Sequence, residues 1–584
     1  MKKRLLFLFC LAVAQTDAQN PADVQFKASI DSQINQLMLK YHIVGSGIAL
    51  FDSEQMILQQ GYGFADLPNK VAIQEQTIFR VGSISKTFTA LAVMQLKEAG
   101  KIELNAPIEE YLPALHLQNN QQRRKITSRD LLTHTAGLTD DISNGNCCNR
   151  PVGQQVVIDW LNQEVLTIPP GLKMNYSNIG YALLGYLIEA VSGEKYADYI
   201  EQHIFRPLHM DHSSVSIDSS QIALRVKGYK KDGVELEVPP VRDLAAGSVE
   251  SSLPDMVAFA QMLLRQGQVG TDSLISRATF VEMSSDHLAD VVLGAGDRFG
   301  YGLFLQYLGT DQDEKIGYGI GHGGDLFNHH AVLMIYPKLN LGLVTLTNSE
   351  EGNKFCNNAA VRVLKTYLKT YKHLAMEKAA PDRFPVQALA VDRLDHRLIQ
   401  GIYGGNGEDY VRIKNAGPDK LKFMQSGHLL ILRRQENNTY SVKFRLLKFI
   451  PIRMKDMLFA FKQVEDKTYL EVLNNKDKSA EFISMRDPTG ALDQRWRDMQ
   501  GNYEVINLFP TTFAKLPYML KCKDNMIVVH VKSPFSGETD NLGFYPLSPT
   551  VAVADGIDRG AGATLRILPN GNLYYSGFEM KKVR

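Results

Sequence analysis

A chain of 584 residues leaves room for roughly three to five domains, and 44% apolar with 22% charged residues is the composition of a globular protein with a full core. Its 64 Lys and Arg against 63 Asp and Glu give a net charge of +1, without the basic excess or stripe of a nucleic-acid binder. Electrostatics therefore argues against nucleic acid and names no other partner.

The first eighteen residues read as a signal peptide. Lys2, Lys3 and Arg4 form a positive start, residues 5–14 are an apolar run, and Thr16 and Ala18 favour cleavage after Ala18. A run of ten is too short to cross a hydrocarbon core about 30 Å thick, which disfavours a membrane anchor. A periplasmic or secreted protein is expected, with no transmembrane segment once the signal is removed. Export permits disulfides among Cys147, Cys148, Cys356 and Cys522, and three full pairings stay open. Their spacing fits no common zinc pattern.

After the signal, residues 43–52 and 56–63 read as a hairpin. Val81-Gly82-Ser83-Ile84-Ser85-Lys86 then opens an apolar helix through Phe88, Leu91, Val93, Met94 and Leu96, stopped at Gly100. Asn175-Tyr176-Ser177-Asn178 precedes a second helix through Leu183, Leu184, Leu187 and Ile188. Gly321-His322-Gly323-Gly324-Asp325 comes before a strand pair, 331–336 and 341–347, and residues 353–378 carry a helical apolar rhythm. Strands at both ends with helices between them predict an antiparallel sheet covered by helices.

Composition changes at residues 379–385, where short alternating runs such as 429–432 and 526–531 begin, and again at 486–490. The two tail halves repeat. Leu394-Asp395-His396-Arg397 returns as Leu492-Asp493-Gln494-Arg495, and Gln400-Gly401-Ile402-Tyr403 as Gln500-Gly501-Asn502-Tyr503. Each half is expected to be one β-meander closed into a small barrel. A basic-apolar run at 442–461 could touch a membrane surface, but strand alternation favours a charged outer barrel face.

Ser83 and Lys86 are three residues apart and share one helix face. A serine hydroxyl is a weak nucleophile until a neighbouring base takes its proton. Lysine serves as that base when it is neutral, and burial together with the positive end of a helix disfavours its ammonium form. On the tetrapeptide alone, a polar helix start explains Ser83 better, since composition supplies about two Ser-x-x-Lys matches by chance. Ser192-Gly193-Glu194-Lys195 is such a decoy. Locally, Tyr176 and Asn178 read as a packed tyrosine and a helix cap, and His322 as a loop residue. As site residues they would relay protons, hold Lys86 or a substrate amide, and line a strand whose glycines admit a substrate backbone.

Ser-x-x-Lys, then Tyr-x-Asn, then His-x-Gly, in that order, resembles the signature of the penicillin-recognising serine enzymes. The nearest look is to class C β-lactamases, D-Ala-D-Ala carboxypeptidases, D-aminopeptidases and related esterases. Thr77-Ile78-Phe79-Arg80, Leu131-Leu132-Thr133-His134-Thr135-Ala136-Gly137-Leu138 and Ala245-Ala246-Gly247 add to it, over residues 28–349. The resemblance implies an α/β transpeptidase-like domain at 19–380, followed by two small all-β, lipocalin-like barrels at 387–486 and 491–584, the layout of D-aminopeptidases. It implies Ser83 as nucleophile, Lys86 and Tyr176 sharing the base role, and Asn178, His322, Gly323 and Gly324 as substrate-binding residues. The backbone N–H groups of Ser83 and Asp325 would form the oxyanion hole, with no metal and no cofactor.

His322 departs from the lysine usual in β-lactamases and carboxypeptidases. Histidine is mostly neutral above pH 7, which weakens carboxylate capture and argues against efficient penicillin hydrolysis. If it did bind a carboxylate, Michaelis constants would worsen as pH rose through its pKa. The expected function is a serine hydrolase of small amides or esters, with D-amino-acid peptides favoured. A short-chain esterase, a weak β-lactamase and a penicillin-binding sensor that acylates without turnover are the alternatives. The substrate is a small peptide, ester or β-lactam, and a homo-oligomer stays open. No Gly-x-Ser-x-Gly, His-Glu-x-x-His or phosphate loop occurs. His329 and His330 would point to opposite faces of a strand.

Overall fold

The computed structural model describes residues 21–374 and 394–583 apart from 120–123, 147–151, 167, 216–218, 238, 294–297, 308–315, 405–410, 426–427, 437, 447–449, 465–466, 475–478, 487–491, 508–516, 524, 533–538 and 555–561. The signal-peptide reading, the breaks at 379–385 and 487–490, and Cys147 and Cys148 lie outside them. Among the described residues, Cys356 and Cys522 are free thiols.

Helix α1 (Pro21–Tyr41) buries Phe26, Ile30, Ile34 and Leu37, which the helical period puts on one face. Strands β1 (Gly45–Phe51), β2 (Met56–Asp66) and β3 (Val71–Ala72) follow, then helices α2 (Ser85–Glu98), α3 (Asn178–Ser192) and α4 (Leu253–Leu264). Four strands complete the sheet: β4 (Phe304–Tyr307), β5 (Tyr318–Leu326), β6 (His329–Tyr336) and β7 (Leu341–Thr347). Helix α5 (Gly352–Tyr371) closes the domain. The seven strands lie in the order β4-β5-β6-β7-β1-β2-β3, with the chain's first and last sheet strands paired in the middle.

All seven residues of β1 and of β7 are buried, because both sheet faces are covered. On one face α1 and α5 pack Phe26, Ile30 and Ile34 with Phe355, Ala359 and Val363. On the other face α2, α3 and α4 build the larger core around Phe88, Leu91, Ile179, Leu183 and Phe259. This is the antiparallel sheet with helices that the sequence predicts. Helix α5 ends at Tyr371, short of the residue 378 read from its rhythm.

Two closed eight-stranded barrels follow, each with its strands in sequence order. Barrel 1 runs from Gly401–Tyr403 to Ser479–Arg486, and barrel 2 from Gly501–Val505 to Phe578–Lys582. The repeated residues have one job in both. Asp395 and Asp493 cap short helices by accepting the N–H of Arg397 and Arg495. Tyr403 donates to Ile399 O, and Tyr503 to Met499 O, both at 2.5 Å, fastening each helix to its first strand. The basic-apolar run falls on the barrel 1 strands Tyr440–Leu446 and Ile450–Val464, with Val442, Phe459 and Phe461 buried. Among the described residues, no helix is long and apolar enough to cross a membrane.

Candidate active site

Ser83 sits in a tight turn, Gly82–Ile84, that leads into α2. Gly82 has φ +52°, a left-handed conformation that glycine adopts without a Cβ clash. Ser85 ties this turn to the segment opposite, donating to Gly82 O at 2.7 Å and accepting the Val249 N–H at 2.9 Å.

Lys86, one turn further on, is fully buried. Its Nζ lies 3.1 Å from Ser83 Oγ, 2.8 Å from Asn178 Oδ1 and 2.8 Å from Ala246 O. The two carbonyl oxygens can only accept. These contacts hold Nζ beside the Ser83 hydroxyl, where a neutral amine can take its proton.

Asn178 is free for this contact because it is not the cap of α3. Ser177 caps the helix instead, accepting the Gly180 N–H at 2.9 Å and donating to Thr139 O at 2.7 Å. Tyr176 lies against His134, with ring centroids 4.2 Å apart, and its centroid is 4.9 Å from Lys86 Nζ. His134 accepts the Ser177 N–H on Nδ1 at 3.0 Å, so the same buried ring supports both Tyr176 and the helix start.

The third motif lies on β5. His322 is buried and donates from Nδ1 to Gly323 O at 2.5 Å, which leaves Nε2 as a buried acceptor without a hydrogen-bond partner among the described residues. Burial above all pulls its pKa down to about 3, and Lys86 adds to this whenever it is protonated. His322 is therefore uncharged throughout the neutral range. The sequence alone allows a titration near the ordinary histidine value, and burial removes it.

The two glycines after His322 differ. Among the described residues, a Cβ on Gly323 would meet only Ala331 O, at 3.9 Å. A Cβ on Gly324 would stand 1.9 Å from Val81 O and 3.4 Å from Ser83 N. At Gly324 an added side chain is excluded by the turn that carries Ser83. That close approach brings β5 against Ser83: a Cβ on Gly82 would lie 2.9 Å from Asp325 N. The two backbone N–H groups expected to hold an oxyanion thus come from adjoining segments. The Asp325 carboxylate faces elsewhere, accepting from His330 Nδ1 at 2.6 Å and Asn353 Nδ2 at 2.8 Å.

Ser83, Lys86, Tyr176, Asn178 and His322 are brought together, although up to 239 positions separate them (322 − 83). The decoy is not. Ser192 ends α3, Gly193 closes it at φ +80°, and Lys195 lies 3.8 Å from Glu189. Sequence reasoning does not single out His134 or Ala246, though both lie in stretches quoted for the resemblance. Asp140, Asp141 and Arg242, which stand behind Asn178, carry no signal. Among the described residues, no cluster of His, Cys, Asp and Glu is placed to hold a metal ion, and His329 and His330 lie on β6.

An antiparallel sheet with a Ser–Lys pair at the start of a covered helix, faced by Tyr-x-Asn and a His-Gly-Gly strand, defines the active-serine acyl-transfer class. Residues 30–367, more than half of the chain, match the beta-lactamase family model, and the chain belongs to that family of serine hydrolases. It is 28% identical over 326 residues to the protein Flp of Staphylococcus aureus (strain MRSA252), covering 55% of this chain and 62% of Flp. To the putative penicillin-binding protein PbpX of Bacillus subtilis (strain 168) it is 31% identical over 306 residues, covering 50% of this chain and 72% of PbpX. The chain thus spans less than two thirds of Flp. The octameric penicillin-binding protein homologue from Pyrococcus abyssi shares the fold, with a TM-score of 0.51 at 20% identity over 79% of this chain and all of that one.

Proposed function

We propose that the protein is an exported serine hydrolase that forms an acyl-enzyme on Ser83 and acts on small amides or esters, with D-amino-acid peptides the favoured substrates. The observation that carries the reading is Lys86 Nζ, held by two carbonyl acceptors with Ser83 Oγ as its third contact. Neutral Lys86 takes the Ser83 proton as Oγ bonds to the substrate carbonyl carbon. The carbonyl oxygen gains the charge and is met by the N–H groups of Ser83 and Asp325; removing one such donor typically costs about a hundred- to a thousandfold. Collapse breaks the C–N or C–O bond, and the leaving group departs with the proton returned through Lys86 and Tyr176. Water then adds to the acyl-enzyme and gives up a proton to Lys86, and Ser83 leaves as its hydroxyl with the acid as product.

His322 supports the substrate class. An uncharged imidazole with a free acceptor suits a donor group, such as the ammonium of an N-terminal D-amino acid, better than a carboxylate. Turnover of D-alanyl nitroanilide, nitrophenyl butyrate, a D-Ala-D-Ala peptide and a β-lactam, each against Ser83→Ala, tests this. The D-alanyl amide should be turned over best. Preference for the β-lactam or the C-terminal D-Ala-D-Ala would overturn the subclass, and turnover surviving Ser83→Ala would overturn the hydrolase.

A further inference from the structure

Asn178 holds Lys86 with its carbonyl, so its amide must be prevented from turning over. Its Nδ2 faces two carboxylates, Asp141 Oδ2 at 3.2 Å and Asp140 Oδ1 at 3.4 Å. As carboxylates both accept, so Nδ2 faces them and Oδ1 is turned to Lys86. The Asp140 carbonyl also takes the Asn178 N–H at 2.8 Å and the Ile179 N–H at 3.2 Å. Burial, and then Asp243 and Asp140, push the Asp141 carboxyl up.

The loop bearing these acids does not stand alone. Arg242, clamped on Asp243 at 2.6 and 2.7 Å, donates to Asn144 O at 2.6 Å. From the far side, the Ser576-Gly577 turn of barrel 2 grips the loop. Ser143 N donates to Ser576 Oγ at 2.7 Å, Asn144 N to Ser576 O at 3.1 Å, and Asn144 Nδ2 to Gly577 O at 2.8 Å. Gly577 has φ +82°, and a Cβ there would stand 2.9 Å from Asn144 Cβ and 3.1 Å from Ile142 Cγ2 and Trp160 Cδ2.

We propose that Asp140 and Asp141 are positioning residues for the Asn178 amide, and that the Ser576-Gly577 turn of barrel 2 holds them in register. Barrel 2 then belongs to the catalytic unit, although no residue of it has been assigned to the reaction. The proposal rests on the Ser83–Lys86 reading of the site. Loss of the grip loosens the loop, the Asn178 amide and then Lys86, and lowers kcat with little change in KM, because the Lys86 contact matters in proton transfer and not in substrate binding.

The test measures nitrophenyl butyrate hydrolysis by the full chain carrying Gly577→Ala, Asp141→Asn, both together, and Gly571→Ala. Gly571 has a similar φ, +81°, in the same barrel, with nothing within 4 Å of an added Cβ. It controls for backbone strain and general loss of barrel stability. Gly577→Ala and Asp141→Asn should each lower kcat about ten- to a hundredfold, the effect of small misplacement in a catalytic constellation. Their combination should be little worse than either, and Gly571→Ala should stay within about twofold. Equal losses for Gly571→Ala and Gly577→Ala, multiplied losses in the double variant, or an unchanged kcat in Gly577→Ala would overturn the proposal. Turnover that survives Ser83→Ala refutes instead the acyl-enzyme reading on which it rests.

Discussion

Lys86 is held from two sides that are built differently. In front, Ser83 and strand β5 meet through backbone, with Gly324 pressed against Val81 O and Ser83 N. Behind, Asn178 is held by side chains, through Asp140, Asp141 and Arg242 to a turn of barrel 2. At Gly324 the front has no room for an added Cβ, which would stand 1.9 Å from Val81 O. The rear is a relay of hydrogen bonds that runs from Asn178 through the Asp140-Asp141 loop to barrel 2. Chemistry is concentrated in front, whereas the positioning behind joins residues as far as 433 positions apart in the chain.

Several substitutions sharpen or break that contrast. Gly324→Ala should have the largest effect, lowering kcat/KM about a hundred- to a thousandfold by pushing the oxyanion strand off the nucleophile turn. Gly323→Ala, one residue away, should stay within a few-fold in the same assay. Equal losses at the two glycines would break the account of the front side. The rear substitutions, Gly577→Ala and Asp141→Asn, should fall between these.

An effect on stability and not on catalysis is expected further back, where Glu164 is buried between the catalytic domain and barrel 2. It accepts the Thr564 N–H at 2.7 Å and lies 3.4 Å from Tyr574 Oη. Burial pushes its pKa from 4.5 up to about 7. The folded state therefore binds the proton more tightly than the unfolded one. The associated stability is full below about pH 4.5 and is lost as pH rises to about 7, by up to about 3 kcal/mol. Urea melts between pH 5 and 8 should show that decline, and Glu164→Gln should flatten its share. An identical slope in the parent protein and in Glu164→Gln would remove Glu164 from the account.

The smallest effects belong to the repeat. Tyr403→Phe and Tyr503→Phe each remove one hydrogen bond and should cost about 1 kcal/mol apiece, leaving kcat unaltered. Unequal losses would mean that barrel 2, gripped by the catalytic domain, no longer uses this lock as barrel 1 does.

Legibility in the sequence follows the same division. The sequence points to Ser83, Lys86, Tyr176, Asn178 and His322 through particular residue types at fixed local spacings, and the fold brings the five together. The two barrels were legible through Tyr403 and Tyr503, whose hydroxyls repeat one local hydrogen bond. Asp141, Arg242 and Gly577 were not, because each gains its meaning from partners remote in sequence, and alone each looks like a solvated loop residue. The charge state of His322 was half legible. Its residue type named the ordinary pKa, whereas the burial that lowers it comes only with packing against Tyr176, Phe304 and Lys86.

The central claim is an acyl-enzyme on Ser83, and intact-mass analysis of a rapid quench with nitrophenyl butyrate tests it most directly. The account predicts a transient gain of one butyryl group in place of a hydrogen, located on the peptide containing Ser83 and missing from Ser83→Ala. An adduct on another residue, or hydrolysis that continues in Ser83→Ala, would contradict it.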